Sequence, residues 1–447
     1  MPNSKRSRGE QAVSHSVPDS VSPSTRAVVI RAHAPDVSDT DVERSLSELA
    51  QLLAGIGIDV VQRVVQVRPR PTATYLGEGK LRELAELTGG PGEVRRGPSQ
   101  VHERARSELL VVVDDELSAG QQRHLELALG ARVFDRTQVI LKVFEARART
   151  RRARLELELA RLEYEVPRIR DEHGLGDREG GGGRASRGHT NVELAKQRAR
   201  ERIAAIRHEL EELGQAETQK IASRSEVFRV SLVGYTNAGK STVMRSLTGA
   251  DVLIEDKLFA TLGTTVRQLV PAATPPIVAA DTVGFIDRLP HALVASFRST
   301  LAEALEAWLL LHVADASDPH FRRQIAVTET ELAELGATSP VVLVLNKADR
   351  LEPAARAALQ TEFPHAVVMS ALSDDDVVAL RARIDAFFAQ HLVEGRFSIP
   401  YGKLGIFAEI RDRLRVIEES FADEVEVSVR ATPATLTRLE TALRSAR

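Results

Sequence analysis

The sequence predicts an α/β chain of several units. At its centre is a doubly wound, mostly parallel sheet of the phosphate-loop (P-loop) type, preceded by a small α/β domain with a helical hairpin and followed by a small α+β unit. Apolar strand-like runs alternate with amphipathic helical runs over residues 26–146 and again over 226–392, the rhythm of parallel βαβ units. Between them, over 147–220, the text becomes basic and leucine-rich around a glycine-rich interruption. The third observation is the stretch GYTNAGKST at 234–242, set between the apolar run Arg229–Val233 and the helix-compatible Val243–Leu247.

Composition sets limits on this reading. The 447 residues, 43% of them hydrophobic, suffice for roughly three domains that each bury a core. With Lys+Arg at 60 and Asp+Glu at 63, the formal charge is −3, so a nucleic-acid surface has to come from local clustering. The absence of cysteine removes disulfides, thiolate nucleophiles and cysteine-ligated zinc, and fits a reducing compartment. Residues 1–25 are Ser/Pro-rich without an apolar core and read as a disordered tail, and Ala307–Val313 is too short to span a bilayer.

In chain order, AVVIRAH reads as a strand, VERSLSELAQLLAGIG as an amphipathic helix closed by glycine, and DVVQRVVQV as a second strand. Gly77 and Gly79 in PTATYLGEGK open the next helix; a strand-to-helix turn is the plainer reading of that loop, a phosphate site the sharper one. Leu109–Val113 is a short buried strand. In the basic segment, Leu155, Leu159, Leu162 and Val166 share one helical face, and Ile203, Ile206, Leu210 and Leu213 share another. With GLGDREGGGGRASRGHT between them, the economical reading is an antiparallel hairpin with a flexible basic tip. Its arginines, Arg147, Arg149, Arg151, Arg152 and Arg154 with Arg168, Arg170, Arg184 and Arg187, are dense enough to suit phosphate backbones, although most charged helix faces are simply solvated. Further on, Ala337–Pro340 reads as a loop and Glu394–Gly395 as a linker. The last unit, 396–447, reads strand (FSIP), helix (KLGIFAEIRDRLRVIEESF), strand (EVEVSVR) and helix (PATLTRLETALRSA).

The chemistry lies between residues 234 and 372. Gly234, Tyr235, Thr236, Asn237, Ala238, Gly239, Lys240, Ser241 and Thr242 form a loop that can curl around phosphates. In it Lys240 supplies charge to the β and γ phosphates, and Ser241 offers a hydroxyl to Mg2+. The loop alone does not separate ATP from GTP. PVVLVLNKADRLE decides: Asn346, Lys347, Ala348 and Asp349 form the N-K-x-D pattern, whose aspartate accepts from the N1-H and amine of guanine and would face an acceptor in adenine. Ser370, Ala371 and Leu372 in VVMSAL close the base pocket, with the Ala371 N–H meeting guanine O6. Asp281, Thr282, Val283 and Gly284 form a D-x-x-G sensor: Asp281 reaches Mg2+ through water and Gly284 turns its N–H onto the γ-phosphate. The central unit is thus a P-loop GTPase domain. The first switch falls within Asp256–Arg267, where Thr261, Thr264 and Thr265 compete to complete the magnesium shell.

With these residues in view, the chain resembles the HflX family of ribosome-associated GTPases, within the TrmE-Era-Obg-like superfamily. The shared text is GYTNAGKST, DKLFATL, DTVGFIDRLP with LVASFRSTLAEA, and NKAD. Outside the GTPase domain it is ATYLGEGK, VVVDDELSAGQQRHLELALGARVFDRTQVIL and RARTRRARLELELARLEY, and the likeness spans about Ala27 to His391. Comparison with the Obg group maps its Phe-Thr-Thr-Leu segment onto Phe259, Ala260, Thr261 and Leu262, followed by Gly263, which favours Thr261 for magnesium with Thr265 as alternative. Ras-type GTPases carry a water-orienting glutamine where this chain has Phe285, which implies slow hydrolysis until another group or partner completes the site. TrmE-related GTPases hold K+ with an asparagine at the position of Asn237, which makes Asn237 a candidate potassium ligand beside the magnesium site. The resemblance implies a cytoplasmic monomer, with partial peripheral membrane association left open. It also implies that the N-terminal domain and hairpin bind the large ribosomal subunit and its RNA, and that stalled ribosomes are split or rescued under stress. An assembly or hibernation factor regulated by GTP is the alternative; a TrmE-like RNA-modification GTPase is disfavoured by the missing cysteine. Two departures stand out: Gly263-Thr-Thr-Val-Arg267 replaces the family's Asp-Pro-Thr-Thr-Arg, and Gly188-His-Thr-Asn-Val-Glu193 replaces its Gly-Pro-Gly-Glu-Thr-Gln loop.

Overall fold

A computed structural model describes residues 25–69, 73–94, 107–148, 150–169, 185–222, 227–249, 265–282, 284–288 and 307–445. Side chains at 185–191, 215–222, 265 and 445 lie outside the description. Phe259, Ala260, Thr261, Leu262, Gly263, Thr264, Val283, Arg149, Arg170 and Arg184 therefore fall outside the described residues, as do the side chains of Arg187 and Thr265 and the expected tail up to residue 24.

The first unit alternates strand and helix as expected: β1 Thr25–His33, α1 Asp39–Gly55, β2 Ile58–Val67, α2 Glu78–Thr88, β3 Leu109–Val113, α3 Ala119–Leu129, β4 Val133–Asp135 and α4 Arg136–Arg147. Its sheet has the order β2-β1-β3-β4, parallel throughout. Helix α1 starts where the Ser38 side chain accepts from the Asp41 N–H, and Val42, Leu46, Leu49 and Leu53 recur at helical spacing on its buried face. Each fully buried leucine of that stripe contributes roughly 1.5–3 kcal/mol relative to exposure. Gly77 caps α2 without any side-chain bond, and its N–H donates to Gln66 Oε1 at 2.8 Å, which supports the turn reading of that loop.

The hairpin follows as α5 Arg151–Glu165 and α6 Ala185–Ala222. Thr150 caps α5 after an extended Ala148, so the basic run is broken at its start and not continuous with α4. Leu155, Leu159 and Ile206 form its small core with Leu162, Ile203, Leu210 and Leu213 against it, as the spacing predicts, whereas Val166, expected on the same face, opens a 3-10 turn after α5 and lies outside that core. Arg151 pairs with Glu209, Glu158 with Arg202 and Glu163 with Arg207, ion pairs that join the two helices along their exposed sides. One expectation fails: Gly188–Glu193 is not a loop but part of the first turns of α6, since the polar helix formers downstream carry the helix back through it.

The central unit contains β5 Phe228–Val233, α7 Lys240–Thr248, β6 Thr265–Gln268, β7 Ile277–Asp281, β8 Leu309–Asp315, α8 Phe321–Glu334, β9 Val341–Asn346, α9 Pro353–Glu362, β10 Val367–Val368 and α10 Asp374–Ala389. Its sheet order is β10-β9-β8-β5-β7-β6, parallel except where β6 meets β7. The apolar runs of β5 and β8 are buried along nearly their whole length, as a sheet covered on both faces requires. The last unit is an antiparallel sheet, order β11-β13-β12, made of β11 Val393–Ile399, β12 Arg415–Phe421 and β13 Val425–Ala431, with α11 Leu404–Ile410 and α12 Pro433–Ser445. Two expectations are corrected here. Glu394 and Gly395 are not linker but β11, paired with Arg430 and Val429. The expected long helix ends at Ile410, because pairing with β13 draws the β-branched Val416 and Ile417 into a strand.

Candidate functional site

The loop between β5 and α7 is shaped by close approach. A side chain at Gly234, whose φ is 145°, would place Cβ 2.1 Å from Val313 O; at Gly239, φ 90°, it would meet Asn346 Nδ2 at 2.3 Å. Neither site admits any other residue without moving backbone or base-pocket atoms. Asn237 also takes a left-handed φ of 61° and is exposed, its backbone O accepting from Lys347 Nζ at 2.8 Å. Lys240 opens α7 with its side chain buried, Nζ donating to Gly234 O at 3.1 Å and Tyr235 O at 2.9 Å. Burial lowers its pKa to about 8, with Asp281 opposing the shift. Ser241 Oγ donates to Asp281 Oδ2 at 2.8 Å, and that carboxylate is fully buried, so the structure brings together the two groups assigned to magnesium. Thr265 stands opposite Asp281 in the β6–β7 ladder. Thr242 lies half-buried in the first turn of α7.

The base pocket forms where β9 and β10 end. Asn346 Nδ2 donates to Ala238 O at 3.1 Å, tying the base motif to the phosphate loop, and Lys347 Nζ reaches Asp315 Oδ2 at 2.7 Å. Ala348 N–H donates to Met369 O at 3.1 Å. Asp349 is exposed and accepts from Ser370 Oγ at 2.6 Å, which steers its carboxylate. The N–H of Ala371, the group expected at guanine O6, donates to Asn346 Oδ1 at 3.0 Å, which ties this strand end to the base motif. Leu372 is 79% exposed just beyond the end of β10, and Thr282 turns its hydroxyl to Leu232 O at 2.7 Å, so that hydroxyl is taken up by the sheet.

The sensor segment lies on the phosphate loop. Thr236 N–H donates to Phe285 O at 2.7 Å and Phe285 N–H to Gly234 O at 3.0 Å. Phe285 itself is buried in the apolar cluster shared with Leu46, Leu49 and Leu53 of α1. Beside it, Tyr235 Oη donates to Glu48 Oε1 at 2.5 Å and accepts from Asp287 N–H at 2.7 Å. Arg136 bridges Glu48 at 2.6 Å, Asp114 at 2.7 Å and Asp287 O at 3.1 Å, while Arg44 and Arg323 both reach the Asp287 carboxylate. Burial pushes the Glu48 carboxyl up and Arg136 opposes it. The sequence reading missed this cluster: Tyr235 occupies an unspecified position of its motif, and its partners are 52 and 187 residues away.

Of the hairpin arginines, Arg151 is exposed beside Glu209, and Arg154 is exposed with Nε on Ala148 O. Arg152 is mostly covered and pairs with the buried Glu156. Arg168 donates to Leu117 O and Tyr164 O, with its guanidinium over the Tyr164 ring, so its charge serves the fold. Arg147 is half-buried at the end of α4.

Three family descriptions match successive parts of the chain: "GTP-binding GTPase N-terminal" over residues 43–145, "GTP-binding GTPase Middle Region" over 147–224, and "50S ribosome-binding GTPase" over 229–347. A GTPase HflX of Gluconacetobacter diazotrophicus is 47% identical over 93% of this chain and 97% of its own length. A GTPase HflX of Caldanaerobacter subterraneus subsp. tengcongensis is 38% identical over 88% of this chain and 89% of its own. Among solved structures, the SsGBP and GDP complex aligns with a TM-score of 0.45 at 21% identity, covering 82% of this chain and 99% of that one. Identity at this level across nearly the whole chain, together with the ordered succession of matched regions, shows that the protein belongs to the HflX family of GTPases.

Proposed function

We propose that this GTPase works on the large ribosomal subunit, docking its N-terminal domain and hairpin on ribosomal RNA and splitting or rescuing stalled ribosomes when GTP is bound. GTP hydrolysis is the family's activity. In this reading the loop 234–241 holds the phosphates, Asp349 reads guanine and Gly284 senses the γ-phosphate. The residues fit a magnesium ion: Ser241 Oγ and the buried Asp281 carboxylate are already within hydrogen-bond distance, with Thr261 or Thr265 as the switch ligand. Bound there, the ion neutralises charge on the β and γ phosphates. The exposed Asn237 would hold potassium; hydrolysis should then slow when sodium replaces potassium, and equal rates would remove this part.

One observation carries the proposal. Asp287, three residues beyond the sensor glycine, is held at its N–H by Tyr235, at its carbonyl by Arg136 and at its carboxylate by Arg44. The N-terminal unit therefore grips the segment that GTP must move, the linkage a nucleotide-timed docking factor needs. The family description "50S ribosome-binding GTPase" over 229–347 supports the partner. The test is co-sedimentation with large subunits at several salt concentrations, with a non-hydrolysable GTP analogue and with GDP. Binding should favour the analogue, and replacing Arg151 and Arg154 by glutamine should weaken it and flatten the salt slope by about one unit per lost phosphate contact. Equal pelleting of parent and variant would remove the hairpin from the interface. Intact ribosomes that retain the bound factor without releasing subunits would favour the assembly or hibernation reading.

A further inference from the structure

We propose that Thr236 is a catalytic residue of GTP hydrolysis, its hydroxyl holding the attacking water in place of the glutamine that Phe285 displaces. The proposal rests on the reading that loop 234–241 holds the phosphates. Thr236 is the third residue of that loop and only 6% exposed, and its Oγ1 is buried with no hydrogen-bond partner among the described residues. A buried hydroxyl without a partner costs on the order of 1–3 kcal/mol, so its retention at this position calls for a bound group to satisfy it.

The place it occupies identifies that group. A Cβ built on Gly284 would lie 2.9 Å from Thr236 Cγ2, 3.0 Å from Thr236 Cα and 2.9 Å from Lys240 Nζ. Thr236 thus packs its methyl against the sensor glycine, and the Lys240 ammonium approaches the same glycine; these are the two groups assigned to the γ-phosphate. Its backbone is fixed there by the bond from its N–H to Phe285 O. Phe285, by contrast, is 2% exposed with its ring in the apolar cluster of α1, so no side chain from that position reaches the phosphates. Thr282, the other threonine nearby, already donates to Leu232 O.

A hydroxyl offers one donor and two acceptor lone pairs. Thr236 Oγ1 accepts from the attacking water, aligning its lone pair on the γ-phosphorus, and donates to a γ-phosphate oxygen. The water oxygen forms the new bond to phosphorus. The bond to the bridging β-γ oxygen breaks, GDP leaves with that electron pair, and the water's proton ends on the released phosphate. Thr236 gives up no proton; it orients.

The experiment compares Thr236→Val, which keeps the shape and removes the hydroxyl, with Thr236→Ser, which keeps the hydroxyl. Single-turnover hydrolysis and GTP affinity are measured for each on the full chain. Valine should slow hydrolysis on the order of 100-fold while leaving GTP affinity within about threefold, and serine should restore most of the rate. Valine at the parent rate would overturn the proposal, as would equal loss of rate and affinity, which marks a ground-state contact. GDP binding reports folding; if valine does not hold GDP, Thr236→Ala is read the same way. Lys240→Ala, measured alongside, should lose GTP, and its retention of parent affinity would instead sink the placement of the phosphates.

Discussion

At the scale of single residues, the chemistry was legible wherever it is local in sequence. Gly234, Gly239, Lys240 and Ser241 lie within eight positions, and the steric contacts of both glycines explain why the spacing is fixed. What stayed hidden was which hydroxyl and amide groups are already engaged: Ala371 N–H serves Asn346, the Thr282 hydroxyl serves the sheet, and of these three only the Thr236 hydroxyl has no partner among the described residues. Lys240 gives a prediction with a defined sign. Its pKa of about 8 in the nucleotide-free protein is below the ordinary 10.5, and bound phosphates favour the charged form and raise it. Binding GTP near pH 8 should therefore take up protons, and affinity should fall as pH rises beyond that point. The nucleotide-free protein gains stability from the same group as pH rises from about 8 towards 10.5, because the unfolded chain binds the extra proton there. Calorimetry in buffers of different ionisation heat checks the uptake; binding heats independent of buffer near pH 8 would contradict it.

At the scale of elements, periodicity located the strands and helices and also both faces of the hairpin. It failed where tertiary pairing outweighs local preference: Arg415–Phe421 has helical-looking charge and becomes β12 only because β13 lies beside it. It could not show the joint between α1, α4, the phosphate loop and the sensor segment, since Glu48, Arg136, Tyr235 and Asp287 meet only after two units fold together. That joint predicts stability effects. Tyr235→Phe leaves the Asp287 N–H and one Glu48 oxygen short of a partner and should cost about 1–3 kcal/mol. Glu48→Ala removes one of the two carboxylates that compensate the buried Arg136 and should cost about 3–5 kcal/mol. Urea unfolding without nucleotide measures both; a Glu48→Ala loss no larger than that of Tyr235→Phe would show that Asp114 alone satisfies Arg136.

At the scale of the whole molecule, the fold class and the order of units were legible because each unit carries its own pattern, and the family likeness spans them. The relation between units was not, because a continuous apolar cluster joins Leu46 and Leu53 of the first to Tyr235, Phe285 and Ile286 of the GTPase unit, and no local signal marks such a contact. Among the described residues no helix is long and apolar enough to cross a membrane. The burial of Phe285 within that cluster places the position after the sensor inside an interface, so its side chain does not enter the phosphate site. The most direct test of this account is GTP turnover with and without purified large ribosomal subunits. It predicts slow hydrolysis by the protein alone and stimulation on the order of 10-fold or more when large subunits are added, as for other GTPases completed by a partner. Turnover that is already fast alone, or unchanged by the large subunit, would contradict it.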